Sequence, residues 1–208
     1  MKYYKLLSQD LKSYNNTQWE LNKTITVNIP GNAMCSNQVL HCYNHPLLAV
    51  FLNPIHAAIS DPRLFEIEVD EIVANDGLKF ASKSQTLIKE LELPKISLEQ
   101  KIEFGIRVAK LVYNDENWNI WADHWLNGKD RSRESAIVAC ASCSIASYAA
   151  CAACAACAAA SYAARNDLTT SNVTAWVLLY TNASIISNNN DFNQKIIDII
   201  EENIKVKE

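Results

Sequence analysis

The spacing of hydrophobic and polar residues changes near residue 95 and divides the chain into two parts. Before that point, short runs rich in Thr, Val, Ile and Tyr alternate with turn residues, which predicts strands. From residue 96 onward, apolar residues recur every three or four positions, which predicts helices. We therefore expect an α+β fold, with a small mixed-sheet domain at 1–95 and an all-helical domain at 96–208.

The first part contains several candidate strands and one candidate helix. The segment Leu64–Val69 alternates apolar and acidic residues, which is typical of a half-buried strand. Pro46 suits the first turn of a helix, and Pro54 should end that helix at Asn53. Asn75–Gly77 predicts a hairpin turn. The other candidate strands are Lys2–Leu7, Thr24–Ile29, Val39–Tyr43, Leu78–Lys83 and Thr86–Leu91.

The second part begins at Ser97, whose spacing from Gln100 is that of a capping box. The next predicted helix carries three tryptophans on one face, and Gly128 is placed to end it. Further helices are expected at Thr170–Ile186 and at the chain end. The last one has an apolar face formed by Phe192, Ile196, Ile199, Ile200 and Ile204.

Thirty consecutive residues between Glu134 and Arg165 carry no charge, and most of them are Ala, Ser or Cys. A helix on the surface of a soluble protein needs a polar face, so this segment must be covered on all sides. Ala favours helix strongly, and we expect one long buried helix over about 131–165, with a hairpin of two helices as the alternative. The residues expected to pack against neighbouring helices or a second copy of the chain are Cys140, Cys143, Cys151, Cys154, Cys157, Ala153 and Ala156.

Two alternatives remain for the Ala-rich segment. Its length allows a membrane span, but Ala and Ser provide little apolar driving force. Three cysteines, Cys151, Cys154 and Cys157, have the spacing of a bacterial ferredoxin run, but the fourth Cys followed by Pro is missing. Burial against other helices accounts for the composition better, with Cys acting as a small hydrophobic residue.

Composition restricts the partners. The net charge is −4, so no basic surface predicts nucleic-acid binding. The first residues lack the apolar core of a signal peptide, and seven cysteines without such a peptide indicate a reducing compartment. We expect a cytoplasmic protein that does not bind membranes and that forms a homo-oligomer.

Candidate chemistry is confined to the first part. His41 and His45 stand at a predicted strand-to-helix junction, and Arg63 and Glu66 belong to the following strand. Together they could line a polar cleft for an anionic or nucleotide-like ligand; equally, each could be hydrogen-bonded locally. Zinc binding, with Cys35 and Cys42, would require paired cysteine knuckles that the segment lacks. No metal, cofactor or catalytic residue is predicted, because no nucleophile or phosphate-loop motif is present.

Several motifs support a resemblance over about residues 30–165. The chain has an LH…PLLA…LNPIHA…PRL core, a WAxxWLxGxDRS element and an Ala-rich run. With these it resembles a group of uncharacterised phage and bacterial proteins, some of which are labelled immunity proteins. That resemblance implies no particular chemistry. The first part is also loosely similar to ADP-ribosyltransferase-like folds, in which a His at a strand end contacts a nucleotide.

The sequence favours a binding protein over an enzyme. We expect a phage-derived accessory protein that neutralises a host defence factor, a toxin or a nucleotide signal. The alternative is a nucleotide-binding protein or enzyme that uses His41, His45 and Arg63 in an ADP-ribosyltransferase-like domain. Its partners would be a host protein or a small nucleotide-like ligand.

Overall fold

A computed structural model of the chain describes residues 2–143, 147–163, 177–182 and 191–203. It confirms the predicted α+β class, with strands in the first part of the chain and helices in the second. The chain divides into two compact units, residues 1–94 and residues 95–208.

The first unit contains seven strands among its described residues. Most of the candidate strands are present, although the segment predicted at Thr24–Ile29 is shorter and Ile72–Asn75 was not predicted. The strands are β1 (Tyr3–Leu7), β2 (Thr24–Thr26), β3 (Leu40–Cys42), β4 (Arg63–Val69), β5 (Ile72–Asn75), β6 (Phe80–Ser82) and β7 (Ser84–Leu91).

The strands form two sheets. A four-stranded sheet has the order β1-β4-β7-β2, and a three-stranded sheet has the order β3-β6-β5. The named strand pairs are antiparallel, and Leu21 adds one parallel bridge to Leu87. Two backbone hydrogen bonds between Tyr4 and Tyr43, of 2.8 and 3.0 Å, connect β1 to the residue that follows β3. The end of β3 is therefore fixed against β1.

The alternation along β4 decides which side chains enter the core. Phe65 and Ile67 are buried, whereas Glu68, the next residue along the strand, is exposed. Residues of both sheets complete this core, because alternate side chains of a strand point to the same face. Its buried members are Tyr3, Leu7, Trp19, Leu40, Cys42, Phe65, Ile67 and Leu87.

The single named α-helix of the first unit, α1 (Pro46–His56), packs against β1. The prediction that Pro54 ends this helix at Asn53 was wrong, because the helix continues to His56. Proline removes one backbone donor and crowds the preceding turn. Here it lies in the last turn, and the carbonyl of Asn53 accepts the N–H groups of Ala57 and Ala58 instead.

The second unit is helical throughout its named elements. The capping box is confirmed, since Ser97 and Gln100 exchange side-chain hydrogen bonds with backbone N–H groups. Gly128, with φ of 75°, follows the Trp-rich helix as predicted. Residues 177–182 are helical, but the rest of the predicted helix Thr170–Ile186 and Ile204 lie outside the described residues. The helices are α2 (Leu98–Lys110), α3 (Glu116–Leu126), α4 (Arg133–Ser142), α5 (Tyr148–Ala163) and α6 (Phe192–Asn203).

The Ala-rich segment forms two helices, α4 and α5, so the expectation of one helix over about 131–165 was wrong. Cys143 has an extended backbone, with ψ of 114°, and ends α4. Ser147 then begins α5, because its hydroxyl accepts the N–H of Ala150 at 3.2 Å. A serine cap together with packing of α4 on α5 stabilises this arrangement over one continuous rod.

Burial differs between the two Ala-rich helices. In α5 the central residues are buried, including Ala153 and Ala156, and the helix packs against α2 and α4. In α4 the small residues Ala136 and Ala139 face inward, whereas Val138 is 70% exposed. The expectation that the whole segment is hidden from water was therefore wrong for α4. No described helix has both the length and the apolar content needed to cross a membrane.

Candidate functional site

A lysine lies inside the core of the first unit. Lys5 is in the middle of β1, and only 7% of it is exposed. Its Nζ atom lies 4.7 Å from the centroid of the Trp19 ring and donates a hydrogen bond to the carbonyl of His41. Burial lowers the pKa of Lys5 to about 8, although the nearby Cys42 thiol opposes that change. Such a buried ammonium is unusual and marks a candidate functional position.

A second lysine is buried to the same extent beside the turn between β5 and β6. Lys79 is 7% exposed, and its Nζ atom lies 3.7 Å from Oδ2 of Asp76. The same Nζ donates a hydrogen bond to Sγ of Cys35 at 3.5 Å. Oδ1 of Asp76 accepts the N–H groups of Leu78 and Lys79 at 3.0 and 2.9 Å, which holds the turn in place.

His41 connects the surroundings of the two lysines. It pairs with Ala81 across β3 and β6, and its carbonyl accepts the hydrogen bond from Lys5. Nε2 of its ring donates a hydrogen bond to the carbonyl of Met34. Burial lowers the pKa of His41, the bond to Met34 opposes this, and the charges of Lys79 and Lys5 lower it further.

His56, in the last turn of α1, adds a second imidazole. Its Nδ1 atom lies 2.9 Å from the hydroxyl of Tyr43, and the two rings are stacked with centroids 6.1 Å apart. Burial lowers the pKa of His56 to about 4, and the charge of Lys79 acts in the same direction. The charge of Asp76 acts in the opposite direction and raises the pKa of His56. We call the set His41, Tyr43, His56, Asp76 and Lys79 the Lys79 cluster.

The other predicted ligand-binding residues have partners of their own. His45 caps α1, and its Nδ1 atom accepts the N–H of Leu47 at 3.2 Å. Arg63 donates two hydrogen bonds to Glu90, of 2.8 and 2.5 Å. Oε2 of Glu66 lies 3.3 Å from Nζ of Lys2 and 3.5 Å from Nζ of Lys89.

Of the four predicted residues, only His41 belongs to the Lys79 cluster. Arg63 and Glu66 are three positions apart on one strand, so their side chains leave the sheet on opposite faces. The prediction missed Lys5 and Lys79. For Lys5, the sequence offered one signal: a lysine at a core-facing position of an apolar strand, in the segment YYKLL.

The cysteines of the second unit form contacts between helices. Cys157 of α5 accepts a hydrogen bond from the indole N–H of Trp118 at 3.1 Å, which joins α3 to α5. Sγ of Cys140 lies 3.0 Å from Sγ of Cys154. Cys143 is buried and Cys151 is half-buried. In the part of the chain that the structure describes, no three His, Cys, Asp or Glu side chains are arranged to hold a metal ion.

Comparison with known proteins found a similarity for the first part of the chain. Residues 1–99 match the family model of a domain of unknown function (DUF7666). The matched segment contains β1 to β7, α1, Lys5 and the whole Lys79 cluster. Neither the curated proteins nor the solved structures gave a match to this chain.

Proposed function

We propose that the protein acts by binding, and that residues 1–94 hold a small anion, such as a phosphate group of a nucleotide, at the Lys79 cluster. The observation that carries this proposal is the burial of two lysines around His41. Lys5 and Lys79 are each only 7% exposed. In the described ranges, Lys79 has one carboxylate within ion-pair distance and Lys5 has none. Asp76 balances the charge of Lys79, so the excess positive charge beside His41 comes from Lys5, which donates a hydrogen bond to the His41 carbonyl.

An anion would offset the cost of this arrangement. A buried ammonium loses its hydration, and that loss is balanced only by an opposite charge with good hydrogen bonds. The cluster offers the ammonium of Lys79, which carries three N–H donors and lies near Sγ of Cys35 and Oδ2 of Asp76. Hydrogen bonds from charged donors to phosphate oxygens are among the strongest in proteins. The ligand class is thus a compact anion with several acceptor oxygens.

Binding without turnover suits these side chains better than catalysis. Asp76, the carboxylate beside Lys79, accepts two backbone N–H groups and holds the turn. A general base needs a carboxylate or imidazole aimed at the substrate proton. His41 and His56 are each engaged with a protein partner, and burial lowers the pKa of both. The alternative, an enzyme using His41, His45 and Arg63, would require Arg63 to leave Glu90.

Isothermal titration calorimetry on the full chain tests the proposal. The probes are inorganic phosphate, ATP and ADP-ribose, added to wild type, Lys79→Gln and Lys23→Gln. Lys23 is the matched control, because it belongs to the same unit but its side chain is 68% exposed. We expect Lys79→Gln to weaken the tightest probe by about tenfold or more, and Lys23→Gln to leave its affinity unchanged.

Two results would contradict the proposal. One is the absence of binding by wild type to every probe. The other is equal affinity of Lys79→Gln and wild type, with both variants folded by circular dichroism. Chromatography of the probe after incubation separates binding from catalysis: we expect it intact, and conversion to a product would favour the enzyme alternative.

The wider role that we propose is that of a phage-derived accessory protein in the cytoplasm of its host. A protein that binds a nucleotide tightly without converting it would lower the free concentration of a nucleotide signal. Expression in a host that uses nucleotide signals, with and without Lys79→Gln, would test it.

A second candidate function is protein binding through the second unit, to a toxin, a host defence factor or another copy of the chain. The observation that favours it is an exposed apolar side of α4, where Ile137 and Val138 are 42% and 70% exposed. Ala136 and Ala139 point inward instead. Native mass spectrometry of wild type and Ile137→Ser/Val138→Ser would test self-association. A monomeric wild type would contradict the proposed homo-oligomer.

A further inference from the structure

The hairpin of α4 and α5 brings together two Cys-x-x-Cys segments that the proposed anion site does not use. Cys140 and Cys143 lie at the end of α4, and Cys154 and Cys157 lie within α5. Sγ of Cys140 is 3.0 Å from Sγ of Cys154. A disulfide needs sulfur atoms about 2.05 Å apart, so a movement of about 1 Å would join this pair.

The four cysteines differ in their exposure to solvent. Cys140 and Cys154 are half-buried, so a small reagent can reach them, whereas Cys143 and Cys157 are buried. Cys157 also accepts the indole N–H of Trp118. The thiol of Cys143 donates a hydrogen bond to the carbonyl of Ala139 at 3.3 Å. A reagent arriving from solvent therefore meets the Cys140–Cys154 pair first.

Cys140 has the character of an attacking thiol. The hydrogen bond from Cys154 lowers the pKa of Cys140 to about 7, although burial and Cys143 oppose this. The same bond raises the pKa of Cys154. A thiolate is the reactive form of cysteine, and a thiol with a pKa near the ambient pH is well suited to disulfide exchange.

We propose that Cys140 and Cys154 form a dithiol–disulfide site that reacts with a small oxidised disulfide such as glutathione disulfide. The Cys140 thiolate attacks one sulfur of that reagent, forms a mixed disulfide and releases one glutathione thiolate. The Cys154 sulfur then attacks Sγ of Cys140, and the second glutathione leaves with the Cys154 proton. The protein loses two electrons to form one disulfide, and the reagent is reduced to two thiols. The product is a covalent link between α4 and α5.

Peptide mass mapping of the full-length wild type tests this site directly. The reduced protein is treated with glutathione disulfide, blocked with iodoacetamide and digested with chymotrypsin without reduction. Cleavage after Tyr148, which is exposed, separates the cysteines of α4 from those of α5. We expect two peptides joined by a Cys140–Cys154 disulfide, assigned by fragment ions. A thiol assay should show two fewer free thiols than the seven of the reduced protein.

Variants and stability provide the controls. Cys140→Ser and Cys154→Ser should each abolish the joined peptides, whereas Cys35→Ser and Cys151→Ser should retain them. The link should raise the midpoint of thermal unfolding, and dithiothreitol should reverse the rise. Three results would overturn the assignment: seven free thiols after treatment, a stable mixed disulfide on Cys140, or a link that uses Cys35 or Cys151. These readouts do not depend on anion binding.

Discussion

The ammonium of Lys5 lies 4.7 Å from the centroid of the Trp19 ring, inside the core of the first unit. Its described hydrogen bond goes to a backbone carbonyl, that of His41. The aromatic face and the carbonyl compensate in part for lost hydration. An apolar side chain of similar length would fill this position at lower cost, so we infer that the charge is kept for binding rather than for stability.

The first prediction concerns Lys5→Met. Methionine retains the unbranched apolar stem and removes the buried charge, so the free energy of unfolding should stay within about 1 kcal/mol of wild type or rise above it. Urea denaturation measures this quantity. The same variant should bind phosphate more weakly in calorimetry. A strongly destabilised Lys5→Met protein would show that the ammonium is a structural group.

The second prediction concerns acid stability. Burial lowers the pKa of His56 from 6.5 to about 4, so between these pH values the unfolded chain binds more protons than the folded one. Stability should therefore fall as the pH drops from 6.5 to 4, with His56 accounting for about 3 kcal/mol of the loss. Denaturation of wild type and His56→Asn at a series of pH values tests this. The same dependence of the unfolding free energy on pH in both proteins would refute it.

The third prediction separates the Lys79 cluster from Arg63. Arg63 is paired with Glu90 near the surface, and Glu66 is paired with Lys2 and Lys89. Arg63→Ala should leave the affinity for phosphate and ATP as it is in wild type. Exposed ion pairs contribute little to folding, so the unfolding midpoint should change only slightly. Lost binding in Arg63→Ala would favour the enzyme alternative over the Lys79 cluster.

The fourth prediction tests the packing of α5. Ala153 is fully buried, so Ala153→Leu should overpack a tight helix contact and lower the free energy of unfolding by about 1–3 kcal/mol. Ala141 of α4 is exposed and provides a matched control. Ala141→Leu should leave stability nearly unchanged. Equal melting temperatures for both variants would mean that the Ala-rich face of α5 is loosely packed.

Local patterns predicted those features of the fold that depend on neighbouring residues. The alternation in Leu64–Val69 correctly indicated β4, because a strand repeats every two residues. Ser97 and Gln100 form the predicted capping box, which requires only a four-residue motif. Gly128 follows α3 because a left-handed conformation after a helix favours glycine.

Features set by tertiary contacts were not predicted. The break after Ser142 depends on the packing of α4 against α5, and Ala propensity alone favours a continuous helix. The Lys79 cluster combines the end of β3, the turn between β5 and β6 and the end of α1, which are distant along the chain. His41 was predicted as a site residue because it stands at a strand end. Lys5 and Lys79 were missed because lysines are usually exposed.

Histidine NMR on the full chain tests the central claim, binding of an anion at the Lys79 cluster, most directly. The imidazole resonances of His41 and His56 are followed through a pH titration with and without inorganic phosphate, with His124 of the other unit as the reference. An anion beside these rings stabilises their protonated forms, so phosphate should raise the pKa of both. If neither resonance responds to saturating phosphate, or if only the reference does, the anion site does not exist.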